Sequence, residues 1–288
     1  MTWLRYGTDD IRQQWYLEEQ AKCKSIGIRT TLAHEIRGQA FHVDDDTAYR
    51  FTNLNHIVDG KSVLAEAQKY HNPNPTFKKN KDFLSTSLIT DKLDITSPFI
   101  KLATDKKVIA TVSRYMGHIP LLAAVELWHS RYYNDKILAS QLWHCDWENP
   151  KSMKIFVNIS DVWEENGPFT FLPADKSKIV RDAVKYTYGE PGYIINDEDM
   201  YKHITNKDIV KAIGKETLLF VDSCRCFHYG SRVSQGAAPR ILLLIKYLSP
   251  ASINLLPDII KKPPYSYLVD KTDDTYSKYV LGYHTQGR

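Results

Sequence analysis

Two histidines, an aspartate and an arginine are spaced so that they could share one site. His144 and Asp146 lie two residues apart within Gln141-Leu142-Trp143-His144-Cys145-Asp146-Trp147. On a strand, residues i and i+2 face the same side, so an imidazole and a carboxylate can converge on one ion. His228 directly follows a strand-like segment, residues 216–222, and can bring a second imidazole. Two His and one carboxylate on one octahedral face are the ligands with which proteins hold non-haem Fe(II) for O2 chemistry, leaving positions open. Arg240 comes twelve residues after His228 and opens the next apolar run. A strand-to-strand return of that length brings it back beside the metal. Its planar fork can grip the far carboxylate of a dicarboxylate such as 2-oxoglutarate.

Other readings of the same residue types compete. A second H-x-D triplet, His42-x-Asp44, runs into Asp45 and Asp46 with no apolar strand pattern, which marks a solvated loop. Cys224-x-Cys226-x-His228 could suggest zinc, but structural zinc wants four ligands and wider Cys spacing. Arg225 and Arg232 compete for the anion role, yet both fall in turn-like sequence, whereas Arg240 opens a strand. By alternation Trp143, Cys145 and Trp147 point away from the metal, toward a core.

The elements that must position these groups change character along the chain. Residues 1–117 read as mostly helical: a helix from Thr8 to about Lys24, another from Ser62 to Tyr70 ended by Pro73 and Pro75, and one from Ser97-Pro98 to a stop at Gly117. Strands then dominate 118–250: Pro120 to Trp128, Ala139 to Trp147, Met153 to Ile159, Phe169 to Leu172, Glu216 to Asp222, and Arg240 to Leu248. The run Ile241-Leu242-Leu243-Leu244-Ile245 suits a strand covered on both faces. Residues 175–213 read as a helical insert, with one helix at Asp175 to Tyr186 and another begun by Thr205 and Asp208 and closed by Gly214. The tail, 251–288, reads as irregular. The expectation is one domain over 1–288, mainly β with α, its β core decorated by N-terminal and inserted helices.

Composition narrows the partners. With 38 basic and 34 acidic side chains, the net charge is only +4. The clusters Lys78-Lys79-Lys81, Lys106-Lys107 and Lys261-Lys262 are short and scattered, unlike the concentrated face of a nucleic-acid binder. No stretch approaches the length of apolar sequence a membrane helix needs. The N-terminus lacks a signal-peptide core, and the four cysteines form no disulfide framework, so a cytoplasmic, reducing compartment is expected. The 18 Tyr, 10 Phe and 6 Trp suit a lined pocket as well as a core.

The motifs together resemble the phytanoyl-CoA dioxygenase family. The resemblance rests on the stretch Gln141–Trp147, on KIFVNISDVWEENGPFTFLP (Lys154–Pro173), on LLFVDSCRCFHYGS (Leu218–Ser231) and on Pro239-Arg240, in order, across about residues 118–250. It implies a double-stranded β-helix, a jelly-roll or cupin-like core. It implies Fe(II) on His144, Asp146 and His228, with 2-oxoglutarate held by Arg240. Ser231 is implied as a helper at the 2-oxoglutarate carboxylate, and Gln141 as a polar residue lining the pocket. Two departures stand out. Pro173-Ala174-Asp175-Lys176 replaces a Pro-Gly-Ser-His run, and Tyr229 intervenes between His228 and Gly230-Ser231. Related halogenases lack the metal Asp, and Asp146 is present.

The implied activity is a dioxygenase that uses O2 and 2-oxoglutarate to hydroxylate an unactivated C–H bond of a small molecule, releasing succinate and CO2. Arg131, Tyr132 and Tyr133 follow the strand before His144 and are candidates for the mouth of the pocket. Two alternatives are a binding module that keeps the metal residues as a relic and a cupin-like enzyme that uses no keto acid.

Overall fold

A computed structural model describes residues 7–70, 72, 82–86, 93–189, 193–254 and 262–283. Pro73, Pro75, Lys78, Lys79, Lys81 and Lys261 lie outside the described residues. The elements in chain order are α1 (Asp9–Lys22), α2 (Ile26–Ile36), β1 (Tyr49–Asn53), α3 (Gly60–Lys69), β2 (Leu84–Thr86), α4 (Pro98–Ala103), α5 (Lys106–Met116) and β3 (Leu121–Ser130). They continue with β4 (Met153–Asn158), β5 (Thr170–Phe171), α6 (Ala174–Val184), α7 (Asp197–Met200), β6 (Val210–Lys211), β7 (Thr217–Val221), β8 (His228–Tyr229), β9 (Arg240–Leu248) and α8 (Thr275–Leu281).

The strands form two antiparallel sheets, one in the order β1-β7-β4-β9-β3-β2, the other β6-β5-β8. An antiparallel bridge between His144 and His228 adds the H-x-D segment beside β8. From β3 onward the chain therefore alternates between sheets: β3, the H-x-D segment, β4, β5 and β6, β7, β8, β9. This is a double-stranded β-helix with a jelly-roll-like core. The apolar run at β9 makes it a central strand of the larger sheet, paired with β3 and β4. Its residues Leu243, Ile245 and Tyr247 join the core that includes α4, α5 and α8, and the Tyr247 hydroxyl donates to the Ala103 carbonyl at 2.6 Å. Its alternate residues Arg240 and Leu242 face the interior cavity instead.

Several local expectations need correction. The helix expected from Ser97 to Met116 is two, because the Asp105 carboxylate accepts from the amides of Lys107 (2.8 Å) and Val108 (3.3 Å) and starts a new one. Thr8 stands at the α1 N-cap without a side-chain bond. Thr205 and Asp208 do form a reciprocal cap, but over a single 3-10 turn that leads into β6 rather than a helix. The segment expected as a strand from Ala139 to Trp147 begins with a 3-10 turn, Ala139–Gln141, and is held afterwards by isolated bridges. Among the described residues the tail is not wholly irregular: Asp274 caps α8 through the Ser277 amide at 2.8 Å, and Tyr279, Val280 and Leu281 are buried. The N-terminal part, besides its helices, supplies both edge strands of the larger sheet.

Buried polar groups tie the helical layer to the sheet and set a pH dependence. Arg29 donates to the carbonyls of Ile119, Pro120 and Tyr283, joining α2 to the start of β3 and the C-terminal helix. Burial, then the charge of Arg29, push the neighbouring His118 imidazole down to about 3. The native state thus holds His118 neutral, while the unfolded chain protonates it below its ordinary value of 6.5. Its contribution is complete above that value and is lost as pH falls toward the native one. Urea denaturation between about pH 6 and pH 4 should show stability falling, with about 1.4 kcal/mol per pH unit from this one group. His118→Asn should remove that part of the slope.

Candidate metal centre and anion pocket

Each imidazole is oriented by the backbone behind it. Nδ1 of His144 lies 2.8 Å from the Leu142 carbonyl, and Nδ1 of His228 lies 3.0 Å from the Cys226 carbonyl. A carbonyl only accepts, so Nδ1 must carry the proton and Nε2 is the lone-pair nitrogen in both rings. Burial, reinforced by His144, pushes His228 down to about 3, so it is neutral near pH 7. The two rings are 4.3 Å apart. Phe169 packs on the His228 ring at 5.1 Å and stacks on Phe156 at 4.2 Å, forming an apolar wall.

Asp146 completes the cluster. Its amide donates to the Ser223 carbonyl at 2.9 Å, so the turn between β7 and β8 fixes it. That turn is itself pinned by buried Asp222, which accepts from the Tyr115 hydroxyl (2.8 Å) and the amides of Ser152 (3.2 Å) and Cys224 (3.0 Å). Asp146 Oδ2 sits 3.6 Å from His228 Nε2 and is bonded to the ammonium of Lys154. Burial alone would raise the Asp146 carboxyl, but Lys154, His228 and His144 outweigh it and hold it well below the usual range. One ligand atom from each of His144, Asp146 and His228 lies within 4.8 Å of the others. Among the described residues this is the one such gathering of His, Cys, Asp or Glu side chains. Cys224 and Cys226 stand apart from it as buried thiols, against Ser152 Oγ (3.1 Å) and the Thr47 carbonyl (3.8 Å), and offer no zinc site. His42 and Asp44 lie in an exposed turn, where Asp44 accepts from the Thr47 amide at 2.8 Å.

A cavity of about 170 Å³ connects this cluster to Arg240. Arg240 is 2% exposed. Its Nη2 donates to Ser231 Oγ (3.0 Å) and Ser130 Oγ (3.2 Å), while Nε and Nη1 are buried with no protein partner. Burial brings its pKa down to about 10, which leaves it charged at neutral pH. A buried cation with two unmatched donors is costly unless an anion arrives to meet them. Gly230 lines the cavity beside the guanidinium: a Cβ there would touch Arg240 Nη2 at 3.5 Å, in ordinary contact. The rival cations are spent. Arg232 makes a two-pronged pair with Asp197 (2.8 and 2.9 Å), and Arg225 bonds Asp45 (3.3 Å) and the Tyr115 hydroxyl (2.9 Å).

No family model matches the sequence, and no curated protein does. Solved structures match by shape. EctD from S. alaskensis in its apoform aligns over 75% of this chain and 77% of its own, at 17% identity and a TM-score of 0.51. The non-heme alpha ketoglutarate dependent epimerase SnoN from nogalamycin biosynthesis aligns over 76% and 84%, at 16% identity and a TM-score of 0.50. EctD with 2-oxoglutarate and 5-hydroxyectoine gives 74% and 76%, at 16% identity and a TM-score of 0.50. The chain shares the fold of EctD and SnoN.

Within that fold, the six site residues read from sequence are placed as follows. His144, Asp146, His228, Ser231 and Arg240 all line the one cavity. Gln141 does not, which corrects its assignment to the pocket wall. Its amide is consumed by the Ser231 carbonyl (2.8 Å) and the Leu138 amide (3.1 Å), and Ser140 lines the cavity instead. Arg131, Tyr132 and Tyr133 are likewise not among the lining residues. Trp143 and Cys145 turn away into a second core cluster, as alternation requires. Sequence reasoning missed Lys154, Trp128, Phe156 and Phe169 on the cavity wall. Lys154 left one signal, a lone cation inside a strand whose residues are all buried.

Gly167 bears on the geometry of the anion pocket. Its φ is +65°, and a Cβ there would meet the backbone of Arg232 at 2.6 Å. The Ser231 amide also donates to its carbonyl at 3.3 Å. Gly167→Ala should therefore cost about 3 kcal/mol of stability, combining left-handed backbone strain with overpacking, as read by urea unfolding.

Proposed function

We propose that the chain is an Fe(II)- and 2-oxoglutarate-dependent dioxygenase that hydroxylates an unactivated C–H bond of a small molecule. The observation that carries this reading is one cavity holding two Nε2 lone pairs, a half-buried carboxylate and, beyond them, a buried arginine with two unmatched donors. His144, Asp146 and His228 would hold the metal, and this donor set of two imidazoles and one carboxylate suits Fe(II). Arg240, steadied by Ser231 and Ser130, would hold the far carboxylate of 2-oxoglutarate. Bound together, the iron, keto acid and O2 supply the oxidising power that hydroxylates the substrate and releases succinate and CO2.

The chain's own residues bind, orient and keep the site dry. Leu142 and Cys226 carbonyls fix the imidazole tautomers. Phe156, Phe169, Trp128 and Leu242 exclude water from the cavity wall. Within this class, the ordered motifs from Gln141 to Arg240 favour the phytanoyl-CoA dioxygenase family. Asp146 in the metal set argues against halogenation. The buried thiols of Cys23, Cys145, Cys224 and Cys226 suit a reducing, cytoplasmic setting, and no helix among the described residues is long and apolar enough to cross a membrane. The 5-hydroxyectoine in the EctD structure supports a small molecule as substrate here.

The test is O2 uptake and succinate formation with Fe(II) and 2-oxoglutarate, screened over metabolite mixtures. Dependence of both on Fe(II) and 2-oxoglutarate is expected. Turnover without 2-oxoglutarate would instead identify a cupin-like enzyme, and failure to bind either would leave a binding module.

A further inference from the structure

Lys154 has no part in the three-ligand arrangement, yet it sits inside it. It is 7% exposed, lies on the central strand β4, and lines the cavity next to Phe156. Its ammonium bonds Asp146 Oδ2, the same oxygen that approaches His228 Nε2 at 3.6 Å. A monocation therefore occupies the metal-facing oxygen of the one carboxylate in the cluster. A second carboxylate is close by. The β4–β9 register sets Lys154 opposite Lys246, and Lys246 bonds Glu148. Glu148 also accepts from the Cys224 thiol at 3.7 Å, so it stands between the strand pair and the turn beside Asp146. Asp146 and Glu148 both favour the charged form of Lys154, against its burial.

We infer that Lys154 competes with the metal for Asp146 and acts as a positioning residue: it holds Oδ2 in the unloaded site and yields it, shifting toward Glu148, when the ion enters. The inference rests on the proposed metal site. Two cations cannot share one carboxylate oxygen in a buried cluster without strong repulsion, since low local polarity magnifies the interaction. A lysine without a second carboxylate would have nowhere to go. Here Glu148 supplies that place, and Lys246, on a half-buried position of β9, can release it to solvent. The arrangement keeps Asp146 turned inward before loading, at the expense of metal affinity.

The experiment is a Mn(II) titration of the full chain, followed by the electron paramagnetic resonance signal of free Mn(II), for the native protein, Lys154→Met, Glu148→Gln and the double variant. Lys154→Met should tighten Mn(II) binding on the order of tenfold, because it removes the competing charge. Glu148→Gln should weaken it, because Lys154 then stays on Asp146. In the Lys154→Met background the Glu148→Gln effect should be much smaller. Weaker or unchanged binding in Lys154→Met, with a native circular dichroism spectrum, would overturn the inference and make Lys154 a plain support for Asp146. Equal Glu148→Gln effects in both backgrounds would overturn it as well. So would Glu148→Gln binding Mn(II) as tightly as the native protein, and this last arm stands even if Lys154→Met fails to fold. A folded native chain and a folded Lys154→Met that both ignore Mn(II) would remove the metal site itself.

Discussion

Replacing His144 or His228 with Ala should weaken Fe(II) or Mn(II) binding at least about 100-fold and abolish turnover, with the fold retained. Partners that merely orient a ligand are worth 10- to 100-fold in metal affinity, so loss of one of three ligands costs more. His144 is half-buried, its backbone bridge to His228 does not depend on its side chain, and each ring bonds a carbonyl only two residues away. Asp146→Ala should behave differently. It loses metal in the same way but also removes the carboxylate that Lys154 bonds; breaking a buried pair costs up to about 3–5 kcal/mol, and Glu148 can recover only part of that. Thermal melting alongside metal titration should therefore separate the variants: near-native melting for the two His changes, a clear drop for Asp146→Ala. Equal melting for all three would mean that the Lys154–Asp146 pair is worth little.

Arg240→Ala should weaken 2-oxoglutarate binding by about 2–5 kcal/mol while leaving Mn(II) affinity near native. The asymmetry follows from what the guanidinium does in each state. Without ligand, two of its donors are buried and unmatched, so the protein gains little from the charge. With a dicarboxylate, those donors become matched in a fork-shaped pair that Lys cannot reproduce. The unliganded variant should consequently melt close to the native protein, and calorimetric titration of the Mn(II)-loaded protein should show the whole loss in 2-oxoglutarate. Unchanged 2-oxoglutarate affinity would place the anion elsewhere. Arg232, the nearest rival by sequence, is already engaged by Asp197.

The parts of this site that were legible in the sequence are those where one-dimensional period matches three-dimensional direction. Arg240–Leu248 reads as a strand because a central strand is apolar on both faces, and its first residue reads as a cavity cation because a charge there has no other use. His144 and Asp146 read as a pair because alternation forces them to one side. Gln141 could not be placed this way. It sits in a 3-10 turn, where side-chain direction follows local hydrogen bonds, and its amide is taken by Ser231 and Leu138. Lys154 was passed over because its partner is eight residues away in sequence and its meaning depends on how β4 faces the H-x-D segment. The break between α4 and α5 turned on Asp105, which the strong Ser97-Pro98 start and the Gly117 stop masked. The edge strands β1 and β2 pair only with distant segments, so local pattern carries little trace of them.

The most direct measurement is a crystal structure of the chain grown anaerobically with Mn(II) and 2-oxoglutarate. The expected result is one ion touching Nε2 of His144, Nε2 of His228 and a carboxylate oxygen of Asp146, with the far end of the keto acid on Arg240. An ion bound through other residues, or a keto acid that leaves the Arg240 donors unmatched, would contradict it.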